Sequence, residues 1–226
     1  MDRTVPAGAA ILLDFIRKTE VGTEGREGYD VIYSFRQNRL PKPITEMSVA
    51  ELQAHQGKGW PAKSTASGGY QFMRATLADL RRELGLLDGQ VFGADLQDRL
   101  GYHLLKRRGY GQYMAGDISR TEFGDRLAME WASFPVLQNR KGAHRTLKRG
   151  QSYYAGDSLN KALVKPEQVE RVLDAVLAAG NAVAAAPKPQ PAPVPPPPDV
   201  EPVETPAASG GAFLALLQAL LSLFRK

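Results

Sequence analysis

The sequence contains no cysteine and only three histidines among its 226 residues. Without cysteine, a disulfide scaffold, a cysteine nucleophile, and thiolate ligation of zinc or an iron–sulfur cluster are excluded. His55, His103 and His144 are far apart in the sequence, and the short motifs of serine hydrolases, zinc proteases and nucleotide-binding loops do not occur. We therefore predict a protein that uses neither a metal nor a cofactor.

Proline and charge are unevenly distributed along the chain. Ten of the sixteen prolines lie between residues 187 and 206, and the charges beyond residue 180 cancel. The net charge of +5 therefore belongs to the first 180 residues, which hold 26 basic and 21 acidic side chains. This mildly basic balance favours an anionic partner, for which nucleic acid, anionic lipid and the bacterial cell wall all qualify, or it serves solubility alone.

These shifts in composition predict three parts. A folded domain is expected over residues 1–180, a Pro/Ala-rich linker over 181–210, and a short apolar helix over 211–226. The apolar run at residues 212–224 (AFLALLQALLSLF) is shorter than the roughly twenty residues that a membrane-spanning helix needs. We expect it to lie at a membrane, with the basic end at Arg225 and Lys226 near anionic headgroups, or to dock on a partner protein.

The folded part shows mostly helical periodicity. A first helix carries Leu12, Ile16 and Glu20 at i, i+4 and i+8, and capping boxes at Ser48 and Ser119 begin two others. Further helices are predicted around residues 72–84, 96–104 and 166–177. Residues 29–35 (YDVIYSF) give the strongest strand signal. The predicted fold class is mainly α (α+β), with a small β-hairpin region.

Glu20 is the acidic residue with the most unusual predicted surroundings. It follows Leu12 and Ile16 on the apolar face, at the negative end of the helix dipole. Both features disfavour the ionised carboxylate, so the pKa of Glu20 should rise. A carboxyl that stays protonated near neutral pH is what the general acid of glycosidic cleavage requires. The alternative is a solvated glutamate at a helix end.

Four short motifs follow one another along the first 160 residues. They are Thr19-Glu20 with residues 28–32 (GYDVI), residues 64–71 (STASGGYQ), residues 131–135 (WASFP) and residues 152–159 (SYYAGDSL). In order and spacing they resemble the bacteriophage lambda type of lysozyme, a peptidoglycan lytic transglycosylase. The resemblance spans roughly residues 8–162 and leaves out the proline-rich stretch and the apolar tail.

The resemblance implies a lysozyme-like helical domain in which Glu20 is the catalytic acid/base. It also implies a set of saccharide-binding residues: Tyr70, Gln71, Ser133, Phe134, Tyr153 and Tyr154. For Tyr70 the alternative is a core aromatic, and for the pair Tyr153 and Tyr154 it is packing within a loop. Ser133 and Phe134 are expected to contribute their backbone to the edge of the cleft.

The same resemblance implies cleavage of the β-1,4 bond between N-acetylmuramic acid and N-acetylglucosamine, leaving 1,6-anhydromuramic ends, in phage endolysin-like lysis. A hydrolysing N-acetylmuramidase is the alternative, with Asp30 or Glu24 as the second carboxylate. A non-catalytic wall-binding or virion protein is a further one. The basic loop at residues 136–152 could attract the carboxylates of peptidoglycan stems.

The N-terminus is not expected to be a secretory signal, because its apolar run contains Asp14 and basic residues follow it instead of preceding it. We therefore expect synthesis in the cytoplasm and action on the cell wall in the periplasm. The expected partner is peptidoglycan, with no nucleic acid bound, and the protein is expected to be a monomer that residues 212–226 could bring to a membrane.

Deleting residues 207–226 should leave the cleavage of purified sacculi unchanged but reduce the fraction of protein that sediments with liposomes of anionic lipid. The reason is that the tail carries the longest apolar run, whereas every candidate catalytic residue precedes it. A truncated protein that binds liposomes as well as the full chain would contradict the membrane role.

Overall fold

The computed structural model describes residues 1–156 and 160–185. Within them the chain is mainly helical with one two-stranded sheet, which confirms the predicted fold class. The helices are α1 (Ala7–Val21), α2 (Val49–Gly57), α3 (Arg74–Leu84), α4 (Ala94–Arg107), α5 (Tyr110–Ala115), α6 (Arg120–Ala128) and α7 (Pro166–Ala185). Strands β1 (Arg140–Lys141) and β2 (Thr146–Leu147) are antiparallel, with Arg140 opposite Leu147.

Residues Met1–Ala186 form one compact unit. Helix α7 runs to Ala185 and so continues past residue 180, where the sequence predicts the linker to begin. The rest of the predicted linker and the predicted apolar helix over 211–226 lie outside the described residues. In the part of the chain that the structure describes, no helix is long and apolar enough to cross a bilayer.

The helix ends follow the local sequence signals. α1 ends where Gly22 adopts a left-handed conformation with φ of 80°. At the start of α2, Ser48 accepts a hydrogen bond from the backbone of Glu51, whose carboxylate accepts one from the backbone of Ser48. The predicted capping box is therefore complete at α2. The end of α1 and the start of α2 are both encoded by local sequence.

Two helices depart from the local prediction. At α6 only half of the capping box forms, because the carboxylate of Glu122 accepts a hydrogen bond from Arg126 Nε at 2.8 Å and none from the Ser119 backbone is present. Helix α5 was not predicted. Its six residues bury only Tyr110 and Tyr113, which is too short a stretch to display a helical period.

The strand predicted over residues 29–35 is wrong. The segment forms two turns of 3₁₀ helix, Arg26–Asp30 and Tyr33–Phe35, joined by a short extended piece in which Ile32 bridges Ser67. A strand needs a partner along its length, and here only residues 31–33 find one, in residues 66–68. The β-branched and aromatic residues are instead used for burial, since Tyr29, Val31 and Ile32 are all in the core.

Helix α1 lies in the centre of the molecule and packs most extensively against α7, with a further interface to α4. Ala9, Leu12, Leu13 and Ile16 have no exposed surface, and their spacing places them on one face of the helix. This placement fixes the axis of α1 and therefore the position of its last turn, where Glu20 lies.

A buried polar cluster, which we call the arginine cluster, joins α1 to three other segments. It consists of Arg17, Tyr29, Tyr70 and Asp98, each no more than 3% exposed. Arg17 Nη1 donates to the hydroxyl oxygens of Tyr29 at 2.6 Å and Tyr70 at 3.0 Å. Both hydroxyls donate in turn to Asp98 Oδ1, at 2.7 and 2.6 Å. The guanidinium also lies 3.9 Å from that carboxylate oxygen.

The arginine cluster is further braced by its neighbours in the sequence. Arg17 Nη2 donates to Asp14 at 2.6 Å and to the backbone oxygen of Glu24 at 2.8 Å, which closes the turn after α1. Burial, together with the nearby Asp98, raises the pKa of both tyrosines, so their hydroxyls keep their protons and remain donors. The cluster is therefore a connected set of donors and acceptors in the core.

Replacing Asp98 by Asn should lower the free energy of unfolding at pH 7 by about 3–5 kcal/mol, because it removes the buried counter-charge of Arg17 and leaves only the partly exposed Asp14. Asp95→Asn is the matched control, since Asp95 lies on the same helix but is exposed, and its loss should cost less than about 1 kcal/mol. Urea denaturation followed by circular dichroism measures both. Equal losses for the two variants would refute a central role for the cluster.

Candidate active site

Glu20 lies in the last turn of α1, one turn after Ile16 on the same face. The residue keeps some exposed surface, but its carboxyl is surrounded by protein. Burial raises the pKa of Glu20 from 4.5 to about 7, while a hydrogen bond from Ser133 acts in the opposite direction. A carboxyl with this pKa exchanges its proton readily near neutral pH, as an acid/base catalyst must.

Ser133 is the polar partner of Glu20. Its hydroxyl donates a hydrogen bond to Glu20 Oε1, across 113 positions of sequence. Ser133 itself is 6% exposed, and its backbone oxygen accepts from the nitrogen of Leu163 at 2.7 Å. The serine is thus held in place by its backbone and orients one oxygen of the carboxyl.

The turn at residues 68–71 holds Gln71 by several hydrogen bonds. Gln71 Nε2 donates to the backbone oxygens of Gly68 at 2.8 Å and Val31 at 3.2 Å, and Gln71 has a left-handed backbone with φ of 51°. A Cβ on Gly69 would lie 2.8 Å from Arg17 Cδ, so only glycine lets the turn approach the arginine cluster. With both amide donors committed, the amide oxygen of Gln71 is its remaining ligand-binding group.

Tyr70 lies in the core and does not line a cleft. It is 1% exposed, its hydroxyl belongs to the arginine cluster, and its ring packs edge-on against Phe72 with centroids 5.8 Å apart. The expectation that its side chain contacts saccharide is therefore corrected, and the alternative of a core aromatic describes its position. Its hydroxyl donates a hydrogen bond to the buried Asp98, 28 positions later in the sequence, and this contact holds the side chain in the core.

Phe134 is likewise buried, and its ring packs edge-on against Phe15 of α1 with centroids 5.6 Å apart. Phe134 as a whole, its backbone included, has no exposed surface. Tyr153 and Tyr154 are partly exposed and pack against each other at right angles, 5.2 Å apart. The Tyr154 hydroxyl donates to the backbone oxygen of Met129 at 2.7 Å, so part of this pair serves loop packing.

The two candidate second carboxylates already have partners within the protein. Asp30 Oδ1 accepts a hydrogen bond from the backbone of Thr45 at 2.9 Å. Glu24 is half exposed and pairs with Lys18 Nζ at 3.1 Å. Among the described residues, no group of three or more histidine, aspartate and glutamate side chains has an arrangement suited to a metal ion.

The motifs of the sequence meet around the end of α1. Ser133 bonds to Glu20, Trp131 Nε1 donates to the backbone oxygen of Tyr70 at 3.2 Å, and Ser152 donates to the backbone oxygen of Ala132 at 2.7 Å. The motif at residues 131–135 therefore links α1, the turn at residues 68–71 and the segment that begins at Ser152.

Sequence reasoning missed the residues that support this site from inside the core. Gln97 Nε2 donates to the backbone oxygen of Tyr29 at 3.0 Å, and its Oε1 accepts from the backbone of Gly69 at 3.0 Å. Arg17 and Asp98 were missed as well. One signal was available, because Arg17 falls between Leu13 and Val21 on the buried side of α1, where a cation needs a partner.

A family model described as endolysin matches residues 10–157, more than half of the chain and the part that contains Glu20, Gln71 and Ser133. The chain belongs to the endolysin family. No curated protein and no solved structure matches it. Membership of this family indicates that the endolysin is a peptidoglycan-degrading enzyme of phage lysis, with the cell wall as its site of action.

Glu20→Gln should stabilise this endolysin above pH 7 and leave its stability unchanged near pH 4. The folded protein binds the Glu20 proton more tightly than the unfolded chain does, so wild-type stability declines as pH rises from about 4.5 through 7. Glutamine mimics the protonated acid, so the gain at pH 8 should approach about 3 kcal/mol. Denaturant titrations between pH 4 and 8 measure it, and Glu24→Gln, at an exposed position, should show no such gain. A gain that does not depend on pH would contradict the raised pKa.

Proposed function

We propose that this endolysin is a lytic transglycosylase of the lambda-lysozyme type, with a lysozyme-like domain. Its reaction is cleavage of the β-1,4 bond between N-acetylmuramic acid and N-acetylglucosamine. The observation that carries the proposal is Glu20, a carboxyl with a pKa near 7 that a buried serine holds in one orientation. The motif resemblance around Glu20, Gln71 and Ser133 supports the same assignment.

Glu20 acts twice in the proposed reaction. Protonated at first, it donates its proton to the glycosidic oxygen as the bond to the anomeric carbon breaks, which releases the N-acetylglucosamine side as an alcohol. The ionised carboxylate then accepts the proton of the 6-hydroxyl of muramic acid as that oxygen attacks the anomeric carbon. The product is a 1,6-anhydro ring, and Glu20 ends in its starting state. A pKa near 7 suits both proton transfers.

Intramolecular attack removes the need for a second catalytic carboxylate. The 6-hydroxyl belongs to the same sugar as the anomeric carbon and so reacts at a high effective concentration. A hydrolase would need a carboxylate placed to activate water or to attack the sugar. The hydrogen bond of Asp30 to Thr45 and the ion pair of Glu24 with Lys18 favour structural roles for both, which supports transglycosylation over hydrolysis.

Substrate contacts in this proposal come from the exposed polar and aromatic groups. The amide oxygen of Gln71 accepts a hydrogen bond from a sugar hydroxyl or amide, and the partly exposed rings of Tyr153 and Tyr154 stack on sugar faces. Ser133 acts through its hydrogen bond to Glu20, and Phe134 is fully buried. Tyr70 acts from the core, where it positions the turn that carries Gln71.

The proposed catalytic domain extends beyond residue 180 to the end of α7 at Ala185, and it is followed by a linker up to residue 210 and a membrane-directed segment over residues 211–226. The tail would then hold the enzyme near the membrane next to the wall that it degrades. The composition of the sequence supports this part of the proposal.

Mass spectrometry of fragments released from purified sacculi tests the reaction. Wild-type protein and Asp30→Asn should release products one water lighter than hydrolytic ones, and Glu20→Gln should release none, because only Glu20 moves protons. Glu24→Gln, which removes an acid at the same helix end, should retain activity. Reducing-end products would make the enzyme a hydrolase, and an active Glu20→Gln protein would overturn the assignment of Glu20.

A further inference from the structure

A surface pocket with two positive charges lies outside the contacts assigned above. Its cavity measures about 610 Å³, and its lining includes Tyr33, Arg36, Trp60 and Lys63 but no carboxylate. We call it the aromatic–basic pocket. The lining comes from two loops, one after the 3₁₀ turn Arg26–Asp30 and one after α2. Neither loop contributes a residue to the proposed reaction.

Both sides of the aromatic–basic pocket are fixed to one short segment of backbone. The nitrogen of Tyr33 donates to the backbone oxygen of Ala66 at 3.1 Å, and Trp60 Nε1 donates to the backbone oxygen of Ser64 at 2.6 Å. This segment leads directly into the turn at residues 68–71, which carries Gln71. The pocket is therefore connected to the proposed site through a few residues of hydrogen-bonded chain.

The loop that carries Tyr33 has an unusual backbone. Ser34 and Phe35 are consecutive residues with positive φ, 61° and 55°, a conformation that costs energy for residues other than glycine. Phe35 is also 65% exposed, although it is a large apolar side chain. Neither feature serves the burial of the core, and strained exposed loops of this kind are concentrated at ligand-binding sites.

The two cations of the pocket differ from Arg140 and Arg149, which are two of the five lysine and arginine side chains of the basic loop at residues 136–152. In the basic loop, Arg140 pairs with the buried Asp125 at 3.1 Å and Arg149 pairs with Glu167 at 2.9 Å, so both charges are compensated inside the fold. Arg36 and Lys63 form no ion pair within residues 1–156 and 160–185. They are partly exposed and exposed, respectively, which leaves them free to attract an anion.

We propose that the aromatic–basic pocket binds the carboxylates of a peptidoglycan peptide stem. The inference rests on the proposed function and adds a preference for glycan strands that still carry their stems. Arg36 and Lys63 would pair with stem carboxylates, while the rings of Tyr33 and Trp60 would cover the apolar parts of the stem and of the adjoining sugar. When a stem is attached, the lactyl carboxyl of muramic acid is held in an amide and the sugars carry no charge, so the stem supplies the carboxylates that pair with Arg36 and Lys63.

The double variant Arg36→Gln/Lys63→Gln tests the inference on soluble glycan strands with stems and on the same strands after an amidase has removed the stems. We expect kcat/KM on stem-bearing strands to fall by about threefold to tenfold, the size expected for two exposed ion pairs, with a smaller loss on stem-free strands, which keep only the lactyl carboxylate that the amidase exposes. The loss should shrink at high salt, because salt screens exposed charges.

Arg3→Gln/Arg171→Gln is the matched control. It removes the same amount of positive charge from two exposed side chains elsewhere on the domain. It should cleave both substrates as the wild type does. An equal loss on both substrates would assign Arg36 and Lys63 to the sugar chain, and an equal loss in the control would reduce the effect to net charge. Either result, or no loss at all, overturns the inference.

Equilibrium binding separates this inference from the proposed function. The affinity of each protein for the two kinds of strand is measured with the Glu20→Gln substitution present, so that no cleavage occurs. If the wild type cleaves nothing, the proposed reaction fails, but stem-dependent binding that is lost with Arg36 and Lys63 still supports the pocket. Binding that ignores the stems refutes the pocket whatever the activity.

Discussion

The hydrogen bonds and ion pairs of the buried Arg17 guanidinium are the interactions on which the rest of the structure depends. A cation that is 3% exposed needs protein groups to balance its charge and to accept its hydrogen bonds, and here both terminal nitrogens of Arg17 have such partners although Nε has none. Those groups come from four places in the chain. Asp14 and the Glu24 backbone lie in or next to α1, and Tyr29 lies on the 3₁₀ turn Arg26–Asp30. Tyr70 lies in the turn at residues 68–71, and Asp98 lies on α4. The segments that carry the candidate site are thereby drawn to the end of one helix.

Arg17 and Glu20 show opposite solutions to the burial of a charge, three residues apart on the same helix. Arg17 has an opposite charge and several acceptors, so it remains ionised in the core. Glu20 has a single hydrogen-bond donor in Ser133 and no cation paired with it among the described residues, so burial raises its pKa to about 7. The number of partners around each group therefore decides whether its charged form is favoured or disfavoured in the core.

The helices could be predicted from the sequence because their signals are local. The stripe of Leu12 and Ile16, the stop at Gly22 and the capping box at Ser48 each act within a few residues, and the structure contains them as expected. The segment over residues 29–35 failed for the opposite reason. Its composition suits a strand, but pairing depends on a distant partner, and only Ile32 and its neighbours find one.

The residues of the candidate site likewise fall into those that local sequence predicts and those that depend on distant contacts. Placing Glu20 on the apolar face at the end of α1 needed only helical periodicity, so the sequence by itself determined both its position and the direction of its pKa. Tyr70 and Ser133 could not be assigned in this way. Tyr70 became a core residue because its hydroxyl reaches Asp98, and Ser133 became the partner of Glu20 because α1 and the segment after α6 pack together. Only the tertiary structure decides such contacts, since they join residues far apart in the chain whose proximity no local pattern records.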